Sequence, residues 1–244
     1  MKNIYIWSIT ILLMVAPELK AQITETYTDA WFLLLNDYKV NERWTIGNEL
    51  HWRNVNFLKD KEQLLIRPYV DYHVNENVVF TAGYTYIRSY PYRELAVPLT
   101  RPEHNIWEQV TLNHSANKFT FSHRYRLEHR FQGLFSLGDA DVFEVDGYQF
   151  SNRFRYRFTV RHPIGEKYFI HVFDELWIRT DDNFQNANFD RNWLYLGLGR
   201  NLTAHSNIQL AYLHQMIRLN ALLNERHPTL QLTYQHRFER SLKN

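Results

Sequence analysis

The stretch from Phe119 to Phe131 alternates between two kinds of side chain, and this alternation constrains the fold more than any other feature of the chain. Its odd positions are aromatic residues, histidine or leucine, and its even positions are charged or hydroxyl-bearing. Successive side chains of a strand point to opposite faces, so the pattern predicts a strand with one apolar and one charged face. On a helix the same arginines and aromatic residues would form no coherent stripe. The stretch is much longer than a typical soluble strand of roughly 5 to 6 residues, and about 9 to 11 residues suffice to cross a bilayer obliquely.

Similar alternation recurs along the rest of the chain between clear turns. The further stretches are 29–38, 43–57, 63–74, 78–90, 104–114, 148–161, 167–180, 190–200, 207–218 and 229–238. Repeated long alternating strands predict an all-β fold, an antiparallel up-and-down transmembrane β-barrel of about 10 to 12 strands. Single-chain bacterial barrels normally have an even number of strands, whereas these stretches make an odd number. We therefore expect that stretch 29–38 is partial or folded against the lumen, or that one strand escapes the pattern.

The connections between the stretches differ in length. Short connections fall near positions 75, 115, 163 and 203, and longer ones near 91, 132, 181 and 219. Two of the longer ones are a proline-rich loop over 91–102 and a loop over 132–146 that carries four acids. Outer-membrane barrels have short turns on the periplasmic side and longer loops outside, so the alternation predicts sidedness as well as strand order.

A soluble barrel or sandwich would also alternate, with its apolar face inward and its charged face in water. The distribution of cations favours the opposite arrangement. Every lysine of residues 22–244 falls at a turn or a chain end, whereas many arginines fall inside the alternating stretches. A crowded lumen favours the planar guanidinium group, which binds carboxylates with two hydrogen bonds. We therefore expect apolar side chains to face lipid and guanidinium groups to face the lumen.

The residues expected to line this lumen form a charged network with a few polar and aromatic members. They are Glu49, Arg53, Arg67, Asp71, Trp107, Gln109, Arg124, Arg126, Glu128, Arg130, Arg153, Arg155, Arg157, Glu175 and Arg179. Because an unpaired charge in a confined interior is costly, Glu128 and Glu175 are expected to pair with arginines of neighbouring strands. Barrels of about eight strands are packed solid by side chains and wide channels occur nearer sixteen, so the network is either structural filling or an anion-favouring constriction.

The first residues have the order of a secretory signal peptide. Lys2 precedes an apolar run over 4–16, and small Ala21 stands before Gln22. The run is shorter than the about 20 residues that a membrane-spanning helix needs. We predict a signal peptide over 1–21 and one barrel domain over 22–244. The absence of cysteine excludes disulfides and thiolate metal sites, and the formal net charge of +2 gives no indication of a nucleic-acid partner.

The sequence offers no catalytic constellation. The adjacent pairs His114–Ser115, Ser122–His123 and His205–Ser206 place their members on opposite faces or in a turn. His171 and Glu175 share a strand face but lie about 13 Å apart, too far to chelate one metal. We therefore expect no enzyme activity, no metal and no cofactor. The alternative within the same fold is a barrel enzyme acting on lipid or lipopolysaccharide.

Several short motifs resemble one known family. They are R-P-E-H-N-I-W-E-Q at 101–109, H-R-Y-R-L-E-H-R-F at 123–131, R-F-R-Y-R-F at 153–158, D-E-L-W at 174–177 and W-L-Y-L-G-L-G at 193–199. The chain resembles an uncharacterised family of outer-membrane β-barrel proteins from Gram-negative bacteria, defined by a domain of unknown function. The resemblance runs from about Trp31 to Phe238 and implies an envelope-located barrel. It carries no substrate and no catalytic residues.

Together these features predict a non-enzymatic protein of the cell outer membrane with a polar lumen lined by Arg and Glu, either a narrow pore or a structural envelope protein. The expected partners are outer-membrane lipid and small polar or anionic solutes, and no nucleic acid. A soluble periplasmic β-barrel that binds a small ligand is the further alternative.

Overall fold

The computed structural model describes residues 23–92, 99–138, 143–181, 184 and 186–239. The predicted signal peptide, residues 1–21, lies outside the described residues. The described part of the chain forms twelve strands and no helix. The strands are β1 (Ile23–Thr26), β2 (Asp29–Lys39), β3 (Trp44–Val55), β4 (Asp60–His73), β5 (Val78–Ser89), β6 (Arg101–Ala116), β7 (Phe119–Leu137), β8 (Phe143–Ile164), β9 (Tyr168–Thr180), β10 (Asn188–Asn201), β11 (Ser206–Arg218) and β12 (Leu223–Glu239). Among these residues there is accordingly no helix with the length and apolarity to cross a membrane.

Strands β2 to β12 form a closed barrel wall, which confirms the predicted all-β barrel. Each strand pairs with the next one in antiparallel fashion, and β12 closes the wall by pairing with β2 in parallel. The parallel pairing follows from the number of wall strands. Each hairpin reverses the chain direction, so in an eleven-stranded wall the first and last strands run the same way.

The expectation that stretch 29–38 is partial or folded against the lumen is wrong. Strand β2 pairs along its whole length with β3 on one side and β12 on the other. The strand that the pattern misses is β1, which continues the path of β2 and pairs in parallel with the first residues of β12. Four residues are too few for an alternating pattern to be recognised.

The two ends of the barrel differ in their connections. At one end, which we call the short-turn end, the strands are joined over 40–43, 74–77, 117–118, 165–167 and 202–205. Asparagine side chains shape two of these turns. The Asn41 Oδ1 atom accepts a hydrogen bond from the backbone N–H of Trp44, and the Asn75 Oδ1 atom accepts one from the backbone N–H of Val78. The opposite end, the long-loop end, has connections over 56–59, 90–100, 138–142, 181–187 and 219–222.

Two predicted loops at the long-loop end are largely strand. Most of stretch 132–146 belongs to β7 and β8, which pair as far as Leu137 and Phe143. Stretch 219–228 is likewise shorter as a loop, because β12 begins at Leu223. In both places the alternation of apolar and polar residues is too weak to indicate a strand, although the backbone is paired as one.

Most apolar side chains of the wall face outward, and most of the charged ones face inward. On β10, Leu194, Leu196 and Leu198 are 50%, 58% and 54% exposed on the outer surface. Arg126 and Arg155 point inward, and each residue is only 2% exposed. This arrangement is the reverse of a soluble barrel, which buries its apolar face, and it agrees with the predicted orientation.

Candidate functional site in the charged lumen

Two buried carboxylates organise the lumen between β7 and β9. Glu175 accepts hydrogen bonds from Arg155 Nε at 2.8 Å and from Arg157 Nε at 2.9 Å, and it also pairs with Arg124. Glu128 accepts hydrogen bonds from Arg153 Nε at 2.8 Å and from Arg155 Nη1 at 2.6 Å. Arg155 therefore bridges both carboxylates, so these side chains form one connected network.

The network extends toward the long-loop end through two more acids. Arg130 donates two hydrogen bonds to Glu103, at 2.8 and 3.0 Å. Arg179 donates one of 2.5 Å to Asp190, whose carboxylate also lies 3.6 Å from Arg153. Every guanidinium group in this region thus has a nearby carboxylate, as a confined interior requires.

Asp190 was missed by sequence reasoning for a physical reason. The pairing of β9 with β10 shifts its register between Phe189 and Arg191, and such an irregularity interrupts the alternation of faces. Asp190 and Trp193 both lie inward although they are three positions apart. A strict period of two would have placed them on opposite faces. Glu103, which was also not among the predicted lumenal residues, is buried and shares the parity of Trp107 on β6.

The opposite wall of the lumen carries a smaller polar group. Glu49 on β3 accepts a hydrogen bond of 2.7 Å from Arg67 and lies 2.9 Å from His51 Nε2. Arg53 donates to Gln63, and Asp71 accepts from the Thr81 hydroxyl at 2.6 Å. Together with the Arg126 bond to Gln109, these contacts account for the remaining charged residues that the sequence placed in the lumen.

Flat aromatic rings lie beneath the lumenal guanidinium groups. The guanidinium carbon of Arg155 is 3.5 Å from the centre of the Trp177 ring, and that of Arg126 is 3.9 Å from the Trp107 ring. Further pairs of this kind are Arg53 over Trp31, Arg157 over Phe173 and Arg161 over Phe169. Apart from Trp107, sequence reasoning did not place these rings in the lumen. A signal was present, because Phe169, Phe173 and Trp177 share the parity of Glu175 on β9.

Inward-facing glycines provide the space for these rings. Gly83 is paired with Trp107 across strands β5 and β6, and a Cβ atom added at Gly83 would lie 2.2 Å from Trp107 Cζ2. The same relation holds between Gly199 and Phe169, where the added atom would lie 2.1 Å from Cζ. At these two positions, glycine on the neighbouring strand thus leaves room for a large ring in the lumen.

Replacing Gly83 with alanine is expected to lower the free energy of unfolding by about 1 to 3 kcal/mol, because the Trp107 ring must move away from its position under Arg126. Denaturant titration of the purified protein in detergent micelles, followed by tryptophan fluorescence, measures the change. Ala82→Val is the control, since Ala82 is adjacent but faces outward into open space. Equal losses in both variants would contradict the steric explanation.

The free space of the lumen forms a row of cavities. A cavity of about 540 Å³ lies at the long-loop end, and two of about 530 and 420 Å³ lie at the short-turn end. Between them is a smaller cavity of about 150 Å³, which we call the central chamber. Arg53 and Arg67 line both the long-loop cavity and the central chamber, and Gln235 lines both the chamber and a short-turn cavity. The central chamber is therefore the smallest of these four cavities.

A buried polar group lies where β12 meets the start of β2. His227 contacts Asp29 at 2.9 Å through Nδ1 and Glu225 at 3.4 Å through Nε2. Gln215 donates to Asp29 and to Thr229, so three strands are joined at the parallel closure. This group connects residues almost 200 positions apart, and the sequence gives no local signal for it.

Comparison with known proteins identifies the family. The sequence matches the family described as "Protein of unknown function (DUF2490)" over residues 28–226. The chain belongs to this family. The matched range begins just before β2, ends within the first residues of β12 and contains all fifteen residues that the sequence placed in the lumen. The resemblance inferred from the short motifs is thereby confirmed.

Other comparisons add little to the family match. No curated protein matches the sequence significantly. A similar solved structure is titled "NanC porin structure in rhombohedral crystal form". It is 10% identical to this DUF2490 protein, covers 81% of this chain and 90% of its own, and superposes with a TM-score of 0.46.

The histidine and acid that we considered for metal binding have other partners. His171 Nδ1 lies 2.9 Å from Gln209 Oε1, and the Glu175 carboxylate is occupied by arginines. Across the described ranges of the DUF2490 barrel, no group of three or more His, Asp or Glu side chains could hold a metal ion. The prominent chemistry of the lumen is thus guanidinium groups held by carboxylates and aromatic rings.

Proposed function

We propose that this DUF2490 protein is a non-enzymatic barrel of the outer membrane whose lumen forms a narrow pathway for small anions. The outer membrane is supported by the outward apolar belt, which only lipid covers favourably over so many strands. By the same rule the short-turn end faces the periplasm and the long-loop end faces outward. Outer-membrane lipid is then the first partner of the protein.

The observation that carries the proposal is the charge of the central chamber. Five arginines line the central chamber, and Glu49 is the one acid among the described residues that line it. Arg124, Arg155 and Arg157 share the fully buried Glu175, which leaves the region cationic even when that carboxylate is counted. A positively charged constriction favours anions and excludes cations of similar size.

The network of ion pairs on β7 to β9 has a structural part in this proposal. Its bonds to carboxylates and its stacking on rings hold the guanidinium groups in fixed positions, so the constriction keeps its shape. Structural filling and a selective constriction are therefore two roles of one set of side chains.

Single-channel recording in a planar bilayer tests the pathway. We expect small conductance and a reversal potential that indicates preference for chloride over potassium. Arg53→Gln removes a charge from the boundary between the long-loop cavity and the chamber. One unit charge at about 4 Å in a watery environment contributes about 1 kcal/mol, so the permeability ratio is expected to fall about fivefold.

Arg237→Gln is the matched control, since Arg237 is exposed and lines the wider cavities of the short-turn end. Its permeability ratio is expected to stay close to that of the unmodified protein. A protein that inserts but does not conduct would be a closed scaffold, and a preference for potassium would contradict the role of the arginines. Either result would overturn the proposed pathway.

A further inference from the structure

We propose that the central chamber is a binding site for a small organic carboxylate, with the carboxylate held by arginines and an apolar body held by strand β2. The inference deepens the proposed pathway and rests on it for access to the chamber. It names the class of anion and assigns opposite walls of the chamber to the two parts of the ligand.

The cationic wall has a donor without an acceptor. Arg124, Arg155 and Arg157 on β7 and β8 line this wall, and the Nε atom of Arg124 has no hydrogen-bond partner among the described residues. The Nη2 atom of Arg124 donates to Glu175, which Arg155 and Arg157 also share. A guanidinium nitrogen can only donate, so the protein leaves this Nε–H unsatisfied and the Arg124 side chain has a donor to offer an anion in the chamber. Carboxylate oxygens are strong acceptors for such donors.

The apolar wall distinguishes an organic anion from an inorganic one. Strand β2 turns Leu33 and Leu35 toward the lumen, where they line the chamber beside Trp31. Both leucines are only half-buried. In an eleven-stranded wall β2 lies roughly opposite β7 and β8, which carry Arg124 and Arg157. Water or sulfate would leave this apolar wall poorly covered, whereas a ligand with a hydrocarbon body would cover it.

The size of the chamber limits the ligand. A water molecule needs at least about 10 to 15 Å³ of cavity volume and occupies about 30 Å³ in the liquid. The volume of the chamber, about 150 Å³, therefore corresponds to roughly five to ten waters. That space accepts a carboxylate with a single ring or a short branched chain. Longer chains would have to extend past Arg53 and Arg67 into the long-loop cavity or past Gln235 into a short-turn cavity.

Isothermal titration calorimetry on the detergent-solubilised protein tests the site with three probes. Benzoate has both the carboxylate and the apolar body, sulfate has only the charge, and benzyl alcohol has only the body. We expect benzoate to bind at least about tenfold more tightly than either of the others, because each of the other probes lacks one of the two interactions that benzoate makes. Equal affinities for benzoate and sulfate, or no binding of benzoate, would overturn the proposal.

Two variants separate the walls of the chamber. Leu33→Asn is expected to weaken benzoate about tenfold and to leave sulfate unchanged, and Arg124→Gln is expected to weaken both anions by a similar factor. Arg161→Gln is the control for the second variant, because Arg161 lines a short-turn cavity and not the chamber. Unfolding curves verify that each variant is folded. An unchanged benzoate affinity in folded Leu33→Asn would contradict the apolar wall.

Failure of this inference is distinguishable from failure of the pathway, because the calorimetry needs no conductance. A protein that conducts anions selectively but does not prefer benzoate would overturn the binding site alone. A protein that binds benzoate as expected but does not conduct would overturn the pathway and keep the site.

Discussion

Replacing Glu175 with alanine is expected to lower the free energy of unfolding by about 3 to 5 kcal/mol, the usual cost of leaving a buried charge without its partner. Glu175 is 0% exposed and is shared by Arg124, Arg155 and Arg157. Its removal leaves three guanidinium groups close together in a confined space, with Glu128 as the remaining partner of Arg155. Repulsion between like charges adds to the loss of hydrogen bonds.

Denaturant unfolding in detergent micelles measures this loss, and the temperature at which the protein changes its migration on a gel gives a second estimate. Glu42→Ala is the control. Glu42 also pairs with a cation, Lys39 at 3.0 Å, but its side chain is 90% exposed in a turn. Exposed pairs of this kind contribute at most about 1 kcal/mol. If both variants lost the same small amount, the lumenal network would not stabilise the barrel as we describe.

Replacing Leu196 with arginine is expected to destabilise the protein by about 2 to 4 kcal/mol in phospholipid vesicles, because a cation near the bilayer midplane must leave water. Leu196 is 58% exposed at the middle of β10, between the outward Leu194 and Leu198. In a water-soluble protein the same change at an exposed position would fall within about 0.5 kcal/mol. The experiment therefore tests directly whether the outer wall contacts lipid.

Leu202→Arg provides the comparison. Leu202 is 48% exposed, similar to Leu196, but it lies in the turn over 202–205 at the short-turn end. An arginine there reaches water, so its expected cost is close to zero. Equal stability of the two variants in vesicles would contradict a lipid-facing wall.

The strands and their faces could be predicted because they depend on a local pattern. In β7, Arg124 and Arg126 alternate with Tyr125 and Leu127, and a period of two is the direct consequence of strand geometry. The restriction of arginine to one face then indicated the lumen. The pairing of Glu128 and Glu175 with arginines followed from the cost of an isolated charge in a confined interior.

Features that depend on distant residues or on broken periodicity could not be predicted. Closure by β2 and β12, and the contact of Asp29 with His227, join positions almost 200 residues apart. The irregular pairing before Arg191 turns Asp190 inward, whereas strict alternation would place it on the outer face. The aromatic rings in the lumen were missed because hydrophobicity alone suggests lipid, whereas a ring beneath a guanidinium group is stabilised by cation–π attraction.

Because β2 and β12 run in the same direction, the described chain starts at one rim of the barrel and finishes at the other. Ile23 lies at the long-loop rim and Glu239 at the short-turn rim. In a barrel with an even number of hairpin-linked strands both chain ends lie on the same side, so only hairpins need to cross the membrane. In the orientation that we propose, with the short turns in the periplasm, the start of β2 lies at the outer face, so the segment that leads into β2 must cross the membrane without a partner strand before it.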